Sequence, residues 1–186
     1  MKKLFIIGAI FMLLGCGSTE TKIYANQKPG FKLQEFLNGK IEGYGFFQGR
    51  ADDIQLRYYV QMTGKWEGKN GTLTEKFYVD DGTTNEREWK ITMKDDHNFT
   101  AIAADVKGTA IGAIDGYAMN MKYTLILDRD GSKVSVNMDD WIYLQPNGEA
   151  LNRATMTKFG YYIGNVIFHF RKLEDGEKFK ESFYVQ

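Results

Sequence analysis

Seven dipeptides punctuate this chain: Asn-Gly at 38–39, 70–71 and 147–148, and Asp-Gly at 81–82, 115–116, 130–131 and 175–176. Asn, Asp and Gly tolerate the positive φ that tight hairpin turns demand. A chain cut so often leaves little room for long helices, and the segments between the cuts alternate instead. Over 117–127, Tyr117, Met119, Met121, Tyr123, Leu125 and Leu127 fall on one face, and Ala118, Asn120, Lys122 and Thr124 on the other. Ile54, Leu56, Tyr58, Val60 and Met62 alternate in the same way against Gln55, Arg57, Tyr59, Gln61 and Thr63. A period of two is the mark of a strand with one buried face.

Extended along the chain, this pattern predicts strands over 40–50, 54–66, 71–80, 85–93, 98–106, 108–114, 116–128, 132–144, 149–158 and 161–171. The gaps are mostly of hairpin length, so successive strands should pair antiparallel. So many twisted strands do not stay flat; they close on themselves. The expected fold class is all-β, an antiparallel up-and-down β-barrel of lipocalin/calycin-like form with eight to ten strands. A β-sandwich is the second choice, because it needs longer crossing connections. "FKLQEFLNG" reads as one short helical turn before the first strand, and residues 172–186 as one more short hairpin strand. A barrel of this size either fills with side chains or holds one small ligand.

The amino terminus carries a different signal. Lys2 and Lys3 precede an apolar run from Leu4 to Leu14, then Gly15 and the sole cysteine, Cys16. That is the layout of a secretory signal peptide, too short to span a bilayer. Leu13-Leu14-Gly15-Cys16 resembles the lipobox of bacterial lipoproteins, which implies cleavage before Cys16 and acylation of its thiol. The expected organisation is therefore a signal peptide over 1–15, a lipidated flexible tether over 16–30, and a single β-barrel domain over 31–186. The acylated Cys16 would anchor the chain to a membrane. Gly17, where Asp commonly signals inner-membrane retention, points to the outer membrane facing the periplasm.

Composition narrows the function classes. Lys plus Arg and Asp plus Glu are both 24, and no basic stripe or arginine-rich arm is present, so nucleic acid is not an expected partner. One cysteine allows neither an internal disulfide nor a Cys-based zinc site. No cofactor is expected.

The blocks "NGKIEGYGFFQGR", "MTGKWEGKNGTLTEKFYVDDG", "REWKI", "AADVKGTAIG", "MDDWIYL" and "NRATMTKFG" resemble an uncharacterised family of proteobacterial lipoproteins, a domain of unknown function, over roughly Phe31 to Arg171. The resemblance implies a lipocalin-like barrel in a Gram-negative envelope. It also implies a link to membrane fatty-acid modification, through neighbouring genes that resemble cyclopropane-fatty-acid synthases. It carries over no catalytic residues. True lipocalins have Gly-x-Trp on the first strand; here that region reads Gly43-Tyr44-Gly45, so only the architecture is similar.

Candidate site residues are charges that alternation places among apolar neighbours. Glu75 shares a face with Leu73, Phe77 and Val79; Arg87 with Trp89, Ile91 and Met93; Asp140 with Met138, Ile142 and Leu144. The strands of Glu75 and Arg87 meet at the Asp81-Gly82 turn, so the two should pair across that hairpin. One reading is a buried ion pair that fixes register. The other is a polar cluster at the floor of an apolar cavity, orienting a ligand whose apolar part lies against Phe77, Trp89, Tyr123 and the methionines. Asp139 and Asp140 point to opposite faces and cannot share a substrate. Trp141 is expected on the outer face or at a barrel end. His97 reads as a solvated loop residue, and His169, between Phe168 and Phe170, as outward-facing or a satisfied structural histidine rather than a ligand.

The leading expectation is a membrane-anchored protein that binds a lipid or small apolar ligand in a barrel cavity. The alternatives are an enzyme acting on a lipid-derived substrate through Glu75, Arg87 and Asp140, and a structural or adaptor lipoprotein with a filled barrel.

Overall fold

The computed structural model describes residues 20–129 and 131–181. The expected signal peptide and Cys16 lie outside the described residues. A 3-10 turn, Thr21–Tyr24, and a single helical turn α1, Leu33–Phe36, precede ten strands. These are β1 Gly39–Gly49, β2 Ile54–Glu67, β3 Asn70–Val79, β4 Thr84–Met93 and β5 Asn98–Ile102, followed by β6 Ala110–Asp115, β7 Ala118–Arg129, β8 Ser132–Leu144, β9 Ala150–Lys158 and β10 Tyr161–Lys172.

Each strand pairs antiparallel with its sequence neighbours, and β1 pairs with β10, from Ile41 opposite Lys172 to Gly49 opposite Gly164. The sheet is thus a closed up-and-down barrel, as the turn spacing predicts. Closure leaves no free edge to template aggregation. Most of the punctuating glycines sit where expected: Gly82, Gly131 and Gly148 have φ of 86°, 79° and 82° at hairpin turns. Asn70-Gly71 is an exception. It begins β3, and the turn falls instead on Gly68, whose φ is 57°.

The inward faces follow the predicted alternation. Ile41, Val60, Met62, Leu73, Trp89, Ile91, Met119 and Phe168 are all buried in one core. One end of the barrel is closed by α1, whose Leu33 and Phe36, with Phe31 and Leu37, join that core. Gly64 on β2 permits this: a Cβ there would collide with the Leu37 carbonyl.

Strand β5 stops at Ile102, short of the expected 106. Beyond the short strands β5 and β6 the wall would gape between β4 and β7, and segment 103–109 fills the gap. The amide of Ile126 donates to the Asp105 carbonyl at 2.7 Å, that of Lys107 to the Thr124 carbonyl at 2.9 Å, and Val106 bridges to Leu125. The chain leaves the strand register here, yet its backbone groups still find partners.

Two expectations about the flanks need correction. Residues 20–30 are not a free tether but a strap laid on the barrel. Thr21 is buried and its hydroxyl donates to Asp115 at 2.6 Å, while the Tyr24 ring packs against Tyr117, Trp141 and Tyr143. Gly116, at φ 54°, makes room, since a Cβ would strike the Tyr24 carbonyl. Trp141 is accordingly buried on the outer wall beneath this strap. At the other terminus, residues 173–181 form no strand. They cross the outer face of β1 and β2, where the Lys180 amide donates to the Tyr59 hydroxyl at 3.1 Å. Residues 182–186 lie outside the described residues.

Candidate ligand-binding cavity

The barrel is hollow. A cavity of about 640 Å³ runs from α1 at the closed end to exposed Asn85 and Glu86 near the opposite end. That volume lies in the range of small-molecule sites. Most of its wall is apolar and soft, with Met62, Met119, Met121, Met138 and Met156 beside Phe168 and Phe170. Methionines and rings adapt to an occupant without fixing its shape.

All six of the ligand-contacting residues predicted from the sequence, Glu75, Phe77, Arg87, Trp89, Tyr123 and Asp140, line this cavity. Glu75 and Arg87 face each other in the β3–β4 register, and Arg87 Nη1 lies 3.7 Å from Glu75 Oε2. The Glu75 side chain is 12% exposed and that of Arg87 17%. Trp89 Nε1 donates to Glu75 Oε2 at 3.2 Å. The Arg87 guanidinium lies 5.9 Å from the Phe77 ring centre and 5.5 Å from that of Trp89, and Trp89 meets Tyr123 edge-on at 5.3 Å.

Two polar residues that join the cluster were not among those predicted, although alternation marks both. Asp105 follows Phe99, Ala101 and Ala103 on one face, and Asn152 lies between Ala150 and Ala154. Asp105 is the main partner of Arg87: Nε donates to its two carboxylate oxygens at 3.0 and 2.8 Å, and Nη2 lies 2.7 Å from Oδ2. This pair fastens segment 103–109 to β4. Asn152 donates to Asp140 Oδ1 and to the Trp141 carbonyl, the latter at 3.0 Å.

Burial dominates the electrostatics. Desolvation pushes Glu75 up to about 7, against the pull of Arg87 and the Trp89 hydrogen bond. Desolvation likewise pushes Asp140 up to about 6, against the hydrogen bond from Asn152. Tyr123 is held well above its ordinary value, chiefly by burial and then by Asp140. Burial works against the charge on Arg87, but Glu75 and Asp105 outweigh it and keep the guanidinium protonated. The cluster is thus a set of carboxylates around one fixed cation in a largely apolar wall.

The histidines stand apart from it. His169 Nε2 lies 3.0 Å from Glu149 on the outer face, as its alternation predicts. His97 is on an exposed turn, but it is not simply solvated: its Nδ1 lies 2.9 Å from the Ile114 carbonyl oxygen and 3.3 Å from Asp115 Oδ1. Among the described residues no helix is long and apolar enough to cross a membrane.

Comparison with known proteins places this geometry. No curated protein matches the sequence significantly. Among solved structures the barrel is similar to an S-type phycobiliprotein lyase, CPES, from Guillardia theta. The TM-score is 0.54 over 84% of this chain and 99% of the lyase, at 8% sequence identity. At that identity the likeness is one of fold alone, and it is a likeness to a lipocalin-like barrel. The family match is more direct: over residues 10–172 the chain fits the family described as protein of unknown function DUF3833, and it belongs to that family.

Proposed function

We propose that this protein binds one elongated, predominantly apolar molecule of lipid size inside its barrel, and that acylated Cys16 anchors it to the outer membrane facing the periplasm. The observation that carries the reading is the cavity itself, about 640 Å³ with methionine and aromatic walls. A filled barrel, which a purely structural role would permit, has no such space. The fold shared with a phycobiliprotein lyase is consistent with a barrel that takes up a ligand. Glu75, Phe77, Arg87, Trp89, Tyr123 and Asp140 form the contact set in this proposal. Arg87 acts by holding Glu75 and Asp105 in place, and Trp89, Phe77 and Tyr123 border the ligand.

The proposed anchor also sets an orientation. Thr21 is tied to Asp115 at the closed end. Five residues from Cys16 to Thr21 reach at most about 18 Å. The closed end then lies toward the bilayer and the open end away from it, toward whatever delivers or receives the ligand.

The test uses the full chain carrying Cys16→Ser, so that no acyl group competes for the cavity. Native mass spectra and solvent extracts of several preparations should show a reproducible bound mass. Ala154→Phe, which places a ring in the cavity, should remove that mass while circular dichroism still reports the barrel. A clean unliganded mass, with no uptake of added fatty alcohols or phospholipids, would sink the reading.

A further inference from the structure

The charges inside the cavity restrict what its occupant can be. Four charged side chains point into it among the described residues: Glu75, Arg87, Asp105 and Asp140; those of Glu86 and Asp128, at the rim, turn outward to Lys76 and the Gly131 amide. Three are acids and one is a base, although the chain as a whole is balanced, with 24 of each sign. The imbalance therefore belongs to the cavity and not to the composition.

The one cation has little left to offer. Three of its contacts go to Asp105 at 3.0 Å or less, a further nitrogen lies 3.7 Å from Glu75, and the rings of Phe77 and Trp89 lie within 6 Å. An incoming carboxylate or phosphate would have to displace Asp105 and would then sit among uncompensated acids. Like charges brought together in a poorly hydrated space repel strongly, and this is how a site rejects a wrong ligand.

Acceptors, by contrast, are in surplus. Glu75 uses Oε2 for Trp89 and Arg87, and no hydrogen bond among the described residues takes its Oε1. No enclosed side-chain nitrogen or oxygen among the described residues lacks a partner, so Oε1 opens on the cavity. Asp140 has one oxygen held by Asn152, receives the Tyr123 hydroxyl as a further donor, and lies close enough to Glu75 for the two to repel. No three of these side chains converge as metal ligands among the described residues. The open acceptor is thus set in an apolar wall, in a space sized for an organic molecule.

We propose that the occupant is an amphiphile whose polar end donates hydrogen bonds, an amine most strongly and a hydroxyl or amide N–H less so. That end sits on Glu75 and Asp140, with the apolar part along the methionine wall, and anionic heads are disfavoured. The inference rests on the cavity being a binding site, and it narrows the lipid of that reading to the donor-headed classes, excluding free fatty acids.

The experiment compares three probes with one chain length, dodecylamine, dodecanol and dodecanoate, the ions below their micelle concentrations and the alcohol below its solubility limit. The full chain carrying Cys16→Ser is titrated at about pH 8.5, above the raised values of Glu75 and Asp140, with native mass spectrometry for stoichiometry and intrinsic tryptophan fluorescence for affinity. Dodecylamine should bind at least about tenfold more tightly than dodecanoate, with dodecanol between them. In Glu75→Gln combined with Asp140→Asn, the amine should lose that advantage and fall to about the affinity of dodecanol. Retention of dodecanol binding shows that the cavity of the variant is intact. Dodecanoate binding as tightly as dodecylamine overturns the proposal. So does an amine preference that survives the double substitution. If none of the three binds, dodecanol included, it is the cavity reading itself that falls.

Discussion

Two clusters of the same residue types occupy opposite faces of the barrel wall, and they are built differently. The inner one joins Glu75, Arg87 and Asp105. The outer one joins Glu42, Arg171, Glu177 and Lys180. Glu42 is only 2% exposed, yet it accepts from the Tyr59 hydroxyl at 3.0 Å and from Arg171 Nη2 at 2.6 Å, with Lys180 Nζ at 3.7 Å. Arg171 in turn donates to both oxygens of Glu177, at 3.0 and 2.7 Å. The outer cluster pins residues 173–181 across β1 and β2, and both oxygens of its buried carboxylate are taken. The inner cluster leaves a carboxylate oxygen open to empty space. Saturation suits a structural lock; surplus suits a site.

The largest effect should come from breaking the lock. Glu42→Ala leaves the Tyr59 hydroxyl without its acceptor and Arg171 with Glu177 alone, and should cost about 3–5 kcal/mol in urea unfolding. It should also open residues 173–181 to limited proteolysis. Unchanged stability would mean that the outer network is solvated in practice. Next in size is Arg87→Leu, which removes the only basic side chain lining the cavity among the described residues. Its cost should be about 2–3 kcal/mol at pH 8 and clearly smaller at pH 5, because the stranded carboxylates relieve the strain by taking up protons. An equal loss at both pH values would count against a dry cluster.

The clusters should also respond to pH with opposite sign. Burial raises Glu75 from 4.5 to about 7 and Asp140 from 3.8 to about 6. Between the unfolded and folded values the native state holds the extra protons. The inner contribution is therefore complete below about pH 4 and is lost as pH rises toward 7. Glu177 behaves in reverse: the Arg171 hydrogen bond lowers it from 4.5 to about 2. Its contribution is present above about pH 4.5 and is lost as pH falls toward 2. Urea midpoints across pH should show Glu75→Gln flattening the neutral limb, by roughly 3 kcal/mol between pH 4 and 8. Glu177→Gln should flatten only the acid limb. One substitution altering both limbs would mean that the clusters are coupled through the wall. The smallest effect belongs to Lys180→Ala. Its side chain is more than half exposed and its 3.7 Å contact with Glu42 is screened, so stability should move by less than about 0.5 kcal/mol.

Much of the site can be read in the sequence for a local reason. Side chains two apart on a strand share a face, so Glu75 among Leu73 and Phe77, or Asp140 among Met138 and Ile142, had to point inward once the strands were placed. The Glu75–Arg87 pairing follows from the Asp81-Gly82 turn, which sets the register of that hairpin. Asp105 obeys the same alternation, but it lies where β5 has already ended, and its pairing with Arg87 depends on segment 103–109 crossing a gap. No pattern within that segment encodes the gap. It arises because β5 and β6 are shorter than the strands on either side.

The sequence by itself determined the number and order of the strands, their faces, and the inward position of the six cavity residues, because turn chemistry and two-residue periodicity act between near neighbours. The tertiary structure alone decided that the barrel is hollow, that Arg87 spends its hydrogen bonds on Asp105, that residues 20–30 strap the outer wall, and that Glu42 locks the tail through Arg171. Each of these joins groups far apart in the chain, Glu42 and Arg171 by 129 positions. Whether opposite walls meet or leave a space depends on how ten strands close together, and no stretch of one strand carries that information.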